Sequence, residues 1–204
     1  MVQPGYVRRM IHRRLLPLFA LLPLAAGAQS APAEVVERFH AALIALMRDA
    51  QRTGLRARSN RLAPVMTESF DLAAMARIAV GPPWTGFAPL EQAALTEAFA
   101  RWSITTYAAR FDGFSGESFS TTGTQMQPNG DALVRTTLNR PGGEPVLLSY
   151  LLRGTPPRIV DIYLTGTISE LASRRAEFTV LIREGGAARV IQELQARTAR
   201  LLPG

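Results

Sequence analysis

The apolar residues of the chain follow a helical period at both ends and a period of two in the middle. Over residues 32–50 they recur three and four positions apart, which predicts a helix with one buried face. The same period predicts a short helix over residues 72–80, with Asp71 as its N-cap and Gly81 at its end. A longer helix is predicted over residues 89–111.

The helix predicted over residues 89–111 carries apolar side chains on two opposed faces. Leu95 and Trp102 fall on one side of a helical wheel, whereas Tyr107 and Phe111 fall on nearly the opposite side. A helix that is apolar on two faces is buried on both. We expect it to lie between the N-terminal helices and a sheet, or to present one face to a cavity.

Four strands are predicted where the apolar period changes to two. Short connections rich in glycine and proline join them in series, so an antiparallel meander is expected. The third strand is apolar at alternate positions from Val146 to Leu152 and again at Leu147 and Leu151, which predicts cover on both of its faces. The predicted strands span residues 118–126, 132–140, 145–153 and 158–164.

Helical periodicity returns after the last predicted strand. Thr167 and Glu170 have the spacing of a capping box, and Gly185 and Gly186 are expected to end the helix that follows. A final amphipathic helix continues to the C-terminus. The order of helices, meander and helices predicts one α+β domain over residues 29–204.

The basic charge of the chain is concentrated at its N-terminus. The 23 basic and 16 acidic side chains give a formal net charge of +7. Four arginines lie within residues 1–14, ahead of the apolar run LLPLFALLPLAA and the small residues Gly27 and Ala28. This order predicts a secretory signal peptide over residues 1–28, cleaved after Ala28. The exported domain then carries a net charge of +3, and nucleic-acid binding is not expected.

The composition removes several kinds of catalytic chemistry. The chain has no cysteine and no lysine, which excludes disulfides, thiol nucleophiles, Schiff bases and a Walker A lysine. His40 is the one histidine of residues 29–204, and we interpret it as a half-exposed structural residue. No metal site and no cofactor are predicted.

Three acidic residues are candidates for catalysis, but a structural role is favoured for each. Asp112 and Glu117 flank a glycine-containing loop, where acidic side chains commonly cap helices and bound turns. Asp161 interrupts an apolar strand, so its carboxylate needs a partner or water. Arg175 is the expected partner. The sequence shows no nucleophile, base and orienting group at the spacing of a known catalytic motif.

Several segments resemble the MlaC family, the toluene-tolerance group of periplasmic auxiliary proteins that serve a phospholipid ABC transporter. They are FDLAAMARIAVG at residues 70–81, YAARFDGFSGE at residues 107–117, RIVDIYL at residues 158–164 and RRAEF at residues 174–178. Within the family, residues 110–116 and 166–178 most resemble the hopanoid-associated branch called HpnM. The likeness extends over essentially all of residues 29–204.

The resemblance implies helices and a curved sheet that enclose an apolar pocket for lipid tails, without catalysis. It implies a periplasmic shuttle, expected to be a monomer, that carries phospholipid or a hopanoid-type lipid. The implied partners are an inner-membrane MCE–ABC transporter complex and an outer-membrane lipoprotein complex. Two alternatives stay open, namely a small α+β periplasmic enzyme acting on an apolar substrate and an adaptor of a membrane complex that binds no lipid.

Candidate pocket residues are chosen from apolar faces that are in excess of those a simple hydrophobic core would bury. They come from the two-faced helix and from the third and fourth strands. For each of them, ordinary core packing is an alternative to ligand contact. The candidates are Tyr107, Phe111, Val146, Leu148, Tyr150, Leu152, Ile162 and Leu164.

Overall fold

A computed structural model describes Met1 and residues 31–202, which form an α+β fold. The predicted signal peptide, beyond Met1, lies outside the described residues. The helices are α1 (Pro32–Asp49), α2 (Leu55–Ser69), α3 (Leu72–Val80), α4 (Pro89–Arg110) and α5 (Glu170–Leu201). The strands are β1 (Ser118–Met126), β2 (Ala132–Asn139), β3 (Val146–Arg153), β4 (Arg158–Leu164) and β5 (Ile168–Ser169).

The sheet is an antiparallel meander in the order β1-β2-β3-β4-β5, so the prediction of four strands was wrong by one. The added strand forms because Thr165 and Gly166 adopt positive φ angles of 50° and 82° and turn the chain back. Ile168 then pairs with Leu164 at the edge of the sheet. A strand of two residues has no apolar alternation, which is why periodicity missed it.

Ser169, and not Thr167, caps α5. The Ser169 hydroxyl accepts a hydrogen bond from the backbone N–H of Ala172 at 2.9 Å, as an N-cap side chain does. The turn that forms β5 moves the start of the helix by two residues. Further along, the break predicted at Gly185 and Gly186 is confirmed, because both residues have non-helical backbone angles within α5.

The N-terminal helices are held together by an arginine that sequence periodicity did not identify. Arg58 lies in an arginine-rich stretch, residues 52–61, and its side chain is buried. Its guanidinium donates to the carbonyl oxygens of Ala50, Thr53 and Ala108. Arg58 thereby joins the end of α1 and the start of α2 to α4. By contrast, the predicted bounds and Asp71 cap of α3 are confirmed.

The helices cover one face of the sheet and leave the other face open. On the covered face Val134, Tyr150 and Ile159 are buried, and the Phe39 ring of α1 lies against Tyr150. On the opposite face the side chain of Leu147 is 55% exposed. The prediction that β3 is covered on both sides was therefore wrong, and the covered face alone can form the wall of an internal site.

Over the part of the chain that the structure describes, none of the helices combines the length and the apolar character needed to cross a bilayer.

Candidate functional site

A cleft opens between the covered face of the sheet and the ends of two helices. Its walls come from the C-terminal end of α4, the loop that follows, the inward residues of β2 to β4 and the first residue of α5. Its volume is about 450 Å³, within the range of roughly 300–1,000 Å³ that is usual for small-molecule sites. The cleft is open to solvent, so the fully enclosed pocket expected from the resemblance is not seen among the described residues.

Seven of the eight candidate pocket residues lie around this one cleft. They reach it from α4, β3 and β4 because paired residues of neighbouring strands share a face. Leu148 pairs with Leu164, and Tyr150 pairs with Ile162. Leu152 is placed elsewhere, 1% exposed in the core and paired with Ala132 and Ile159. Contact of these residues with a ligand stays a prediction.

Aromatic rings form the floor of the cleft. Tyr107 and Phe111 stack with their ring centroids 5.9 Å apart, and the Phe39 ring packs edge-on against Tyr107 at 5.6 Å. Burial raises the pKa of the Tyr107 hydroxyl well above its ordinary value, so this residue stays neutral. The floor is therefore apolar and uncharged.

His40 supports the wall of the cleft from behind, and it is buried where the sequence predicted half exposure. Its Nε2 atom lies 2.9 Å from the hydroxyl oxygen of Tyr150, a hydrogen bond between α1 and β3. The imidazole also stacks on Phe119 at 3.8 Å. Burial lowers the pKa of His40 to about 3, so the ring is neutral at physiological pH. This pair fixes the position of the Tyr150 ring.

Charged side chains of both signs surround the mouth of the cleft. Arg110 of α4 forms an ion pair with Glu170 of α5 at 3.5 Å. Arg140 donates hydrogen bonds to the backbone oxygen of Glu144. Glu117 accepts a hydrogen bond from the backbone N–H of Ser115 at 2.6 Å, which lowers the pKa of its carboxyl group. The mouth can therefore meet a polar or charged group while the floor stays apolar.

Asp161, the other acidic candidate, lies outside this cleft and has a structural role. Its carboxylate accepts hydrogen bonds from the Ser169 hydroxyl at 2.6 Å and from the backbone N–H groups of Ile162 and Leu171. The expected pairing with Arg175 was wrong, because Arg175 donates to the backbone oxygen of Ile78 instead. Asp161 thus ties β4 to the start of α5.

Sequence reasoning missed several residues that line the cleft. Leu138 is one of them, and its signal was available, because the register of the hairpin places it opposite Val146 on the same face. Arg110 and Glu170 are others, and no local pattern pairs two residues so far apart. Within the described residues, no group of three or more acidic or histidine side chains is arranged to hold a metal ion.

Comparison with known proteins gives one family and several solved structures of related fold. The sequence model of the family described as MlaC protein matches residues 37–196. No curated protein matches the chain. Among the matching solved structures is a phospholipid-binding protein from Ralstonia solanacearum in complex with a phospholipid, 24% identical, with a TM-score of 0.72. The match covers 85% of this chain and 98% of that chain, and at this identity it shows a shared fold.

Proposed function

Since this chain belongs to the MlaC protein family, we propose that it is a lipid-binding protein whose cleft shields acyl chains from water. The observation that carries the proposal is the cleft itself, whose apolar walls include seven of the eight candidate pocket residues. The structural relative from Ralstonia solanacearum, which has the same fold and holds a phospholipid, supports the same ligand class.

The physical need for such a protein follows from the cost of hydrating an acyl chain. Each exposed CH₂ group costs about 0.8 kcal/mol, so a free chain does not cross an aqueous compartment at a useful concentration. An apolar floor made by Tyr107 and Phe111 removes that cost, while the charged mouth keeps a polar headgroup in contact with water. The cleft is thus suited to an amphipathic ligand rather than to a wholly apolar one.

The proposed role is that of a periplasmic shuttle. The signal peptide predicted over residues 1–28 supports export, and the family supports a carrier that exchanges lipid with an inner-membrane MCE–ABC transporter complex and an outer-membrane lipoprotein complex. The ligand is a phospholipid or, in line with the likeness to the HpnM branch, a hopanoid-type lipid. The protein acts by enclosure, as a monomer, without a cofactor.

An enzymatic role has less support. The best candidate for a buried general base, Asp161, already accepts three hydrogen bonds from the protein away from the cleft. Asp112 and Glu117 lie at the cleft mouth, where solvent rather than a buried substrate surrounds them.

Native mass spectrometry of the purified protein, combined with solvent extraction, tests the proposal. We expect a mass increment that matches one lipid and the same lipid in the extract. A protein without a lipid increment, even after incubation with phospholipid or hopanoid vesicles, contradicts lipid binding. If such a protein instead binds a membrane complex, it is an adaptor, whereas turnover of an apolar substrate makes it an enzyme.

A further inference from the structure

One edge of the sheet has no strand beside it in the described part of the chain. This is the outer edge of β1, which pairs with β2 on its other side. The strand contains no charged residue and no proline, two features that commonly protect an exposed edge from pairing with another chain. A bulge at Thr122 interrupts the pairing between Thr121 and Gly123. Residues 118–121, ahead of the bulge, therefore keep a regular edge that can accept a further strand.

A groove lies between this edge and the outer side of α1, and we call it the edge groove. Its volume is about 510 Å³. Phe119 of β1 lines it, with its ring stacked on that of His40 at 3.8 Å between centroids. The outer side of a surface helix is usually polar, but here α1 lines the groove with exposed or half-buried apolar side chains. These side chains, which we call the apolar strip, are Ala41, Ile44 and Ala45.

A single extended segment of chain can satisfy both surfaces. Its backbone can form hydrogen bonds with the edge of β1, while its alternate side chains point to one face and pack on the apolar strip. Peptides that add a strand to a sheet edge obtain affinity from main-chain hydrogen bonds and specificity from alternate side chains. A helical segment does not fit the same surfaces, because its backbone groups already bond to one another.

Charged residues at the two ends of the edge groove favour one direction for such a segment. Glu37 and Arg48 are the first and last residues of α1 that line it, and they lie about 16 Å apart along the helix axis, the length of about five residues of extended chain. The Arg48 guanidinium lies 4.9 Å from the centroid of the Phe114 ring, in the loop before β1. A strand antiparallel to β1 therefore begins near Glu37 and ends near Arg48. Glu117 also lines the groove, but its carboxylate accepts a hydrogen bond from the backbone N–H of Ser115.

We propose that the edge groove is the docking site of a partner protein, which adds an extended segment of about five residues antiparallel to β1. Charge complementarity requires a basic residue at the N-terminal end of the segment, beside Glu37, and an acidic residue at its C-terminal end, beside Arg48. Between them, an apolar side chain faces Ala41 and Ala45. Among the described residues the groove and the lipid cleft share Glu117 alone, so this interaction goes beyond lipid binding and does not depend on it.

Hydrogen exchange followed by mass spectrometry tests the site with a synthetic probe. The probe is the peptide Thr-Lys-Thr-Val-Thr-Glu-Thr with blocked termini, and its matched control exchanges the lysine and the glutamate. We expect the probe to slow exchange in residues 118–121 and the control to bind about fivefold more weakly, because both end charges are then reversed. Equal binding of the two peptides contradicts the assigned direction. No slowing in residues 118–121 at the highest soluble concentration of the probe would overturn the proposal.

Substitutions on exposed helix positions provide a second test. Ala45→Arg places a bulky charge on the apolar strip and should lower the affinity for the probe about tenfold. Ala57→Arg, the same change at an exposed position of α2, should keep the wild-type affinity. Both variants should retain lipid, since neither position lines the cleft, so failure of lipid binding and failure of docking are separate results. Wild-type affinity in Ala45→Arg would overturn the proposal.

Sedimentation of the free protein distinguishes a partner protein from a second copy of this chain. We expect a monomer in which residues 118–121 exchange rapidly. A dimer in which residues 118–121 are protected, and which Ala45→Arg dissociates, would show that a second copy fills the edge groove. That result would overturn the assignment to a partner protein.

Discussion

Lowering the pH is expected to destabilise the protein through His40. In the folded protein burial lowers the pKa of this imidazole from 6.5 to about 3. The unfolded chain therefore binds a proton below pH 6.5 that the folded protein does not bind until about pH 3. Because the unfolded state holds more protons in this window, the free energy of unfolding falls as the pH falls.

The size of the effect follows from the two pKa values. At pH 5 the unfolded imidazole is almost fully protonated, whereas the folded one is neutral, and the difference amounts to about 2 kcal/mol. That is a large part of the stability of a typical domain. The hydrogen bond between His40 and Tyr150 gives this loss a local consequence, because Tyr150 forms part of the cleft wall.

Urea unfolding at pH 8 and pH 5, followed by circular dichroism, measures the effect. His40→Gln is the matched variant, since an amide can bond to the Tyr150 hydroxyl but does not titrate. Carboxylates such as Asp131 and Glu177 also have lowered pKa values, but they contribute equally to both proteins. We expect wild type to lose about 2 kcal/mol more than His40→Gln between the two pH values. Equal losses would refute the assignment of a buried, neutral His40.

Three further substitutions, the first with a matched control, test the wall of the cleft, the hydrogen bonds of Asp161 and the break within α5. Val146→Asp places a charge in the cleft and should weaken lipid binding about tenfold or more. Leu147→Asp, its neighbour on the open face of the sheet, should bind lipid as the wild type does. Equal losses of affinity in a lipid-displacement assay would refute the assignment of Val146 to the wall of the lipid site. Asp161→Asn should lower the free energy of unfolding in urea by about 2 kcal/mol. Gly186→Ala, at a φ of 62°, should lower the free energy of unfolding by about 1–3 kcal/mol in the same measurement. Unchanged stability of either variant would contradict the structural role given to that residue.

Local patterns in the sequence predict most of the elements of this fold. The α3 helix, with its Asp71 cap and Gly81 end, follows from the capping side chain and from the backbone freedom of glycine. Strands β1 and β4 begin and end where the period of two begins and ends. These features depend on interactions between neighbours in the chain, which is why they can be predicted without the fold.

Features that depend on distant partners could not be predicted in the same way. Asp161 bonds to Ser169 and Leu171, because β5 turns the chain back, and not to the arginine that charge alone suggested. His40 is buried since Tyr150, 110 residues away in sequence, supplies its hydrogen bond. Whether β3 is covered on one face or two depends on where the helices lie, and that is a property of the whole fold.

The sequence predicted most of the apolar residues that line the cleft and missed the polar ones. Tyr107, Leu148 and Leu164 reach the cleft because helix and strand periodicity assign each of them to the inner face. Leu152 obeys the same periodicity but lies farther along β3, in the core. Periodicity identifies a face, whereas the extent of a cleft along that face depends on the elements that cover it.

Photo-crosslinking with a phospholipid that carries a diazirine at the end of an acyl chain tests the central claim most directly. After irradiation, peptide mass spectrometry identifies the labelled residues of the bound protein. The account predicts adducts on residues of the cleft, such as Tyr107, Phe111 or Leu164. Adducts confined to the open face of the sheet, around Leu147, would contradict it.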